Sequence, residues 1–217
     1  MAQRKNISDA VVRRLPRYLR YLSEMHEHGV PRISSRELGE RMGLTPSQIR
    51  QDFSHFGEFG QQGYGYRVGD LLAAIRHILA LDREYHMVVF GAGNIGQAVA
   101  KYPNFSERGF LIDALFDTDP ELVGKKVEGI KVLHWDKAAQ YLKNHSVDIG
   151  VICVPHAAGQ EVADRLIQGG VRSIWNFPPR DLSVPEDVLV ENVHLSESLY
   201  ALVFRSKHRD TCGGQKG

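Results

Sequence analysis

The sequence predicts a two-domain α/β chain, a winged helix-turn-helix followed by a Rossmann-type doubly wound parallel sheet. Three observations carry this reading. Two helix-capping signatures stand eleven residues apart, at Ser34 and Thr45. A glycine-rich aromatic hairpin follows them directly. An apolar run, Met87-Val88-Val89-Phe90, then enters Gly91-Ala92-Gly93-Asn94-Ile95-Gly96. The expected boundaries are 1–82 for the first domain, 83–194 for the second, a C-terminal helix at 195–206 and a disordered tail at 207–217.

The first helix is expected from Ser8 to His26, where Val11, Leu15, Tyr18, Leu22 and Met25 recur at helical spacing. Pro16 should kink it or mark a second start. Arg13, Arg17 and Arg20 share another face, and Arg14 belongs to the same basic run, so these groups are candidates for phosphate contact. In Ser34-Ser35-Arg36-Glu37, Ser34 caps a helix and Glu37 closes the box. Thr45-Pro46-Ser47-Gln48 repeats the device, with Pro46 at the first helical position. Gly43 separates the two helices.

Projected at about 100° per residue, the second of these helices turns Ile49, Phe53 and Phe56 to one side. Ser47, Arg50, Gln51 and Ser54 fall opposite. A recognition helix needs this division, because an apolar back seats it while Arg, Gln and Ser can bond base edges and phosphates from the front. Ser34 and Arg67 complete the expected nucleic-acid set. The stretch Gly57 to Val68 has a glycine at four positions with aromatics between, so it reads as a wing hairpin with Gln61 and Gln62 at its tip. A helix at Asp70–Leu81 then leads into the second domain.

That domain opens with the strand into Gly91–Gly96. A helix at Ile95–Lys101 and a strand at Leu111–Phe116 follow, and the strand ends in Asp117, 21 residues past Gly96. This context turns a weak glycine pattern into a dinucleotide site. Gly91 permits the tight turn, Gly93 the approach of backbone N–H groups to pyrophosphate, and Gly96 the packing of helix on strand. Asp117 suits a ribose 2′-hydroxyl and repels a 2′-phosphate, which favours NAD over NADP. Strands at Ile130–Leu133, Ile149–Val154, Ser173–Phe177 and Val188–Val193 alternate with helices at Trp135–Lys143 and Gly159–Gln168, up to the last pair of strands. Val154, Pro155, Asn176 and Phe177 stand at strand ends and should line the nicotinamide half, with Ala92, Asn94 and Ile95 on the turn.

Composition bounds the rest. At 217 residues, 42% hydrophobic and 24% charged, the chain resembles a soluble globular protein. No apolar run approaches the roughly 20 residues that span a bilayer, and the polar, basic N-terminus holds no signal core. Cys153 and Cys212 form no C-x-x-C pair, so no disulfide framework, zinc ribbon or other metal site is expected, in keeping with a cytoplasmic protein. Residues 1–82 carry 12 Lys and Arg against 9 Asp and Glu, whereas the remainder carries 15 against 17. The first half therefore suits a polyanion. Only about 20 residues follow the last strand, too few for a substrate domain, so the nucleotide reads as a signal and no enzyme is expected. The alternative is an NAD-dependent oxidoreductase with a regulatory N-terminal domain. A CoA-binding domain is a second rival, against which Asp117 argues.

With these pieces in place, residues 6–206 resemble the Rex family of bacterial redox-sensing repressors. The matching runs are Arg14-Leu15-Pro16, Ser34-Ser35 with Glu37-Leu38-Gly39, Ile49-Arg50 with Asp52-Phe53-Ser54, Phe56–Gly60, Gly65-Tyr66, Gly91–Gly96, Phe116-Asp117, Asn176-Phe177 and Val190–Val193. The resemblance implies a homodimer on an inverted-repeat operator, released by NADH and favoured on DNA by NAD+. It also implies a C-terminal helix swapped in the dimer, which assigns Leu199, Tyr200, Leu202, Val203 and Phe204 to the interface. Three departures stand out. Gln51 replaces a frequent basic residue, as do Gln61 and Gln62. His194 stands where the family carries an acid that works with the residues matching Arg14 and Tyr102 to pass the cofactor state to the DNA-binding domain.

Overall fold

Local signals place the first elements, and long-range pairing then seats them. The computed structural model describes residues 8–55, 60–61 and 64–208, and the chain divides between Arg83 and Glu84 into two compact units. The Phe56–Phe59 run, Gln62 at the wing tip and the tail bearing Cys212 lie outside the described residues.

In the first unit the stretch expected to be helical from Ser8 to His26 divides into α1 (Asp9–Val12) and α2 (Leu15–Glu27), the second start expected at Pro16. The break falls at Arg13–Arg14, and Pro16 sits in the first turn of α2, where a missing N–H costs nothing. Next come β1 (Arg32–Ile33), α3 (Ser35–Met42) and α4 (Pro46–Ser54). Both capping boxes close: Ser34 with Glu37, and Thr45 with Gln48. Gly43, left-handed at φ 65°, ends α3. At Gly39 an added Cβ would lie 2.5 Å from the Leu44 carbonyl oxygen, so the turn between the two helices is closed backbone against backbone.

The wing is formed by β2 (Gly60–Gln61) and β3 (Gly65–Arg67), in the sheet order β1-β3-β2, and α5 (Val68–Ile78) follows. Helix α5 starts two residues before the expected Asp70 and stops before Leu81. Leu15, Tyr18, Leu22, Leu38, Ile49, Phe53, Leu71 and Ile75 form the core. The Phe53 ring lies between Tyr18 at 4.9 Å and Tyr66 at 5.1 Å, which links α2, α4 and the wing. Burying each of the aliphatic residues contributes about 1.5–3 kcal/mol.

The second unit runs β4 (Tyr85–Phe90), α6 (Asn94–Ala100), α7 (Asn104–Glu107), β5 (Phe110–Asp117), β6 (Lys126–Val127) and β7 (Ile130–His134). A 3-10 turn leads into α8 (Ala138–Asn144), followed by β8 (Ile149–Ile152), α9 (Gly159–Gln168), β9 (Ser173–Asn176), β10 (Leu189–Asn192) and α10 (Leu195–Lys207). The sheet order is β10-β9-β8-β4-β5-β7-β6, parallel throughout except for the antiparallel β6–β7 pair. Numbered along the chain, its six parallel strands follow the 3-2-1-4-5-6 order of dinucleotide-binding folds. The order reverses between β4 and β8, and ligands of such sheets enter at the carboxyl ends of the strands there.

Residues from α8 and α9 cover one face of the sheet, over Phe90, Phe116 and Ile152. Residues from α6 and α7 lie on the other, with Val89, Leu115 and Val151. No helix joins β9 to β10, and an apolar groove opens on this second face between Met87, Phe105, Ile149, Trp175 and Val190. Among the described residues no helix is long and apolar enough to cross a membrane.

Candidate functional site

The three glycines after β4 have different surroundings. Gly91 adopts φ 95°, and a Cβ on it would lie 2.5 Å from the carbonyl oxygen of Cys153 at the end of β8. A Cβ on Gly96 would collide with the Gly91 carbonyl oxygen. At Gly93 nothing lies within 4 Å of an added Cβ. The outer two glycines therefore close the turn, and the middle one leaves open space over the backbone. The N–H groups of Asn94, Ile95 and Gly96 belong to the first turn of α6 and have no acceptor within the helix. Gly93, Asn94 and Ile95 are exposed, whereas Ala92 is buried.

Asp117, at the end of β5, accepts a hydrogen bond from the Ala92 N–H at 2.6 Å on Oδ2 and one from the Asp119 N–H at 2.9 Å on Oδ1. Gln97 Nε2 donates to the Ala92 carbonyl at 2.9 Å. The turn and the acid thus form one hydrogen-bonded unit, and each carboxylate oxygen keeps a second lone pair for a ligand hydroxyl. Open backbone, first-turn N–H groups and a carboxylate on the neighbouring strand suit a dinucleotide.

After β8, Val154 is half-buried and Pro155 exposed. Phe177 is half-buried, with its ring 4.7 Å from that of Trp175. Asn176 behaves differently from an exposed lining residue. It is wholly buried, and its Nδ2 donates to the Arg180 carbonyl at 2.9 Å and to Asn192 Oδ1 at 2.8 Å. Its Oδ1 is buried without a hydrogen-bond partner among the described residues. Burial pushes the Cys153 thiol up to about 12, so it is protonated at neutral pH. Among the described residues no cluster of three or more His, Cys, Asp or Glu could hold a metal ion.

In the first unit Ser47, Arg50, Gln51 and Ser54 are exposed together on α4, while Ile49, Asp52 and Phe53 are buried behind them. Arg50 donates from Nη1 to Ser35 Oγ and from Nη2 to Ser47 Oγ, each at 3.2 Å. Ser54 Oγ donates to the Gln51 carbonyl at 2.7 Å. Ser34 is engaged in its cap, and its N–H and hydroxyl hold the Glu37 carboxyl below the ordinary carboxylate range. Exposed Arg67 lies 3.6 Å from Asp70 and opposite Arg32 in the β1–β3 register.

The basic run expected to face phosphate divides. Arg13 is exposed and bonds Asp9 at 2.8 Å. Arg14 turns inward: Nε and Nη2 each donate to the Asp52 carboxylate at 2.7 Å, and the Tyr18 hydroxyl joins them at 2.7 Å. Arg17 Nη2 donates to the Met42 carbonyl at 2.8 Å, at the end of α3. Asp52 was not singled out in the sequence. The available signal was an acid between Ile49 and Phe53, on the side of α4 that must be core.

Helix α10 is exposed along its whole length. Leu199, Tyr200, Leu202, Val203 and Phe204 retain between 52% and 70% of their accessible surface. His194 caps its start without a side-chain cap bond, its Nε2 4.0 Å from Glu197.

Comparison with known proteins covers nearly the whole chain. Residues 6–54 match the family model described as "Putative DNA-binding protein N-terminus", and residues 82–180 match that described as "CoA binding domain". A redox-sensing transcriptional repressor Rex of Clostridium botulinum is 56% identical over 94% of this chain and 98% of its own. Among solved structures, the Rex-family repressor RSP in complex with NAD+ and operator DNA is 48% identical, with a TM-score of 0.89 over 94% of both chains. The same repressor in complex with NADH is 44% identical, with a TM-score of 0.88 over 98% of this chain and 100% of that one.

Proposed function

The chain belongs to the Rex family of redox-sensing transcriptional repressors, and we propose from this that it binds an inverted-repeat operator as a cytoplasmic homodimer, with NADH releasing it and NAD+ favouring the DNA-bound form. One observation carries the reading: a single fold, matched over 94% of the chain, that in RSP takes both operator DNA and NAD+. The nucleotide would act as a regulatory signal, as the NAD+ and NADH complexes of the repressor RSP support.

Gly91, Ala92, Gly93, Asn94, Ile95 and Gly96 would cradle the pyrophosphate, and Asp117 the adenosine ribose. Val154, Pro155 and Phe177 would line the nicotinamide half, with Asn176 bracing the loop that carries Phe177. The backbone opening at Gly93 and the carboxylate at Asp117 support NAD(H) over CoA. The nicotinamide is cationic in NAD+ and neutral in NADH, so an apolar pocket penalises the oxidised form through desolvation. Moving a dimer from 1:99 to 99:1 between its two states requires about 5.5 kcal/mol of differential binding.

On DNA, Arg50 and Gln51 would read bases, with Ser47 and Ser54 beside them. Arg13 and Arg67 would meet phosphates, whereas both donors of Ser34 are taken by Glu37 in the cap. Leu199, Tyr200, Leu202, Val203 and Phe204 on α10, with the groove beside Trp175, offer the apolar surface that a second copy would cover. The test is operator binding by fluorescence anisotropy, with NADH and NAD+ titrated separately at fixed salt. Release by NADH at concentrations where NAD+ leaves the complex intact is expected. Indifference to both nucleotides would refute the sensor and show that His194 does not sustain the relay.

A further inference from the structure

A carboxylate with 2% of its surface exposed is costly to keep charged unless its oxygens are fully bonded, and Asp52 meets that condition. Oδ1 takes Nη2 of Arg14, and Oδ2 takes Nε of Arg14 and the Tyr18 hydroxyl, all at 2.7 Å. Burial, then the bond to Asp52, raises the Tyr18 phenol well above its ordinary value, so the hydroxyl remains a donor. Arg14 and Tyr18 both belong to the start of α2, Arg14 as its N-cap residue. Arg17, between them, holds the end of α3 through Met42. One turn of α2 therefore grips both helices of the helix-turn-helix.

The position of Asp52 on α4 gives this grip a purpose. Two residues of helix rotate the side chain by about 200°, so Asp52 points almost directly away from Arg50. Ile49 and Phe53 flank it with apolar contacts, which attract without direction and so resist withdrawal of the helix more than rotation about its axis. Three short, directed bonds on Asp52 do resist rotation. Buried ion pairs frequently add little to stability relative to apolar residues of the same shape, and positional definition is a use that accounts for keeping one.

We infer that Asp52 is a positioning residue for operator reading: held by Arg14 and Tyr18, it sets the roll of α4 and so the direction in which Ser47, Arg50, Gln51 and Ser54 point. This rests on the DNA-reading function proposed above. The experiment uses the full chain and an inverted repeat that the unaltered chain selects from a randomised duplex pool. Tyr18→Phe removes one bond and Asp52→Asn the charge; the first keeps the proposal testable should the second fail to fold. Each folded variant is expected to lose about 10-fold or more in operator affinity, the order of one charge-assisted bond. Affinity for a random duplex should change less than about two-fold, since phosphate contacts carry that term, and NADH affinity should be unchanged. Unchanged operator affinity, or equal losses on both duplexes, would overturn the inference. An unaltered chain that selects no sequence would overturn the DNA reading itself.

Discussion

The Ala92 N–H donates to the Asp117 carboxylate at 2.6 Å, so the acid that closes β5 also holds the glycine turn that closes β4. Asp117→Ala should therefore weaken NADH binding by about 1–3 kcal/mol, the range for a hydrogen bond to a charged group. Isothermal titration measures this directly, and an unchanged isotherm would remove Asp117 from the site.

The glycines of the turn should separate folding from binding. Gly93 has φ −74° and open space where a Cβ would go, so Gly93→Ala should melt within a few degrees of the unaltered chain yet lose NADH affinity. At Gly96 the new methyl meets backbone at Gly91, which cannot move as a side-chain end can. Gly96→Ala should cost about 1–3 kcal/mol or more in denaturant unfolding. Equal stability of the two variants would contradict this division.

Arg50 fronts α4 and takes no part in the core of its unit. Arg50→Ala should abolish sequence-selective operator binding, measured by competition with random duplex, while NADH binds as before. Retained selectivity would place base reading elsewhere.

What the sequence disclosed follows from the range of the forces involved. The capping boxes at Ser34 and Thr45 close within four residues, and the turn from Gly91 to Gly96 carries its own backbone requirements, so both were legible. The Arg14–Asp52 pair spans 38 positions. Nothing in local periodicity separates an arginine bound for phosphate from one bound for a buried acid. The short elements β1, β6 and α7 escaped notice for a similar reason, because two to four residues hold too little pattern and their pairing partners define them. Asn176 was read correctly as the end of a strand, but its side chain points into a bonded network that only the fold assembles.

Removing residues 195–217 deletes the exposed apolar surface of α10. The truncated chain should sediment as a monomer, since the groove beside Trp175 is left without the apolar helix proposed to share the contact. A stable dimer would shift the interface to the groove beside Trp175.

Cys153 should be inert when folded. Because burial raises its thiol to about 12, the thiolate is nearly absent at pH 8 and accumulates only as pH rises towards that value. In a Cys212→Ser chain, alkylation at pH 8 should be at least about ten-fold slower in buffer than in denaturant. Equal rates would show an accessible thiolate.

The turn closed by Gly39 against Leu44 has a consequence for how such a repressor changes over generations. Its geometry depends on main chain meeting main chain, and the seat of α4 depends on Ile49, Asp52 and Phe53, so none of the four front side chains is needed to hold the frame. Exposed substitutions of this kind usually alter stability by no more than about 0.5 kcal/mol. Selection can therefore rewrite the front towards new target sites, one codon at a time, from ancestors that all fold.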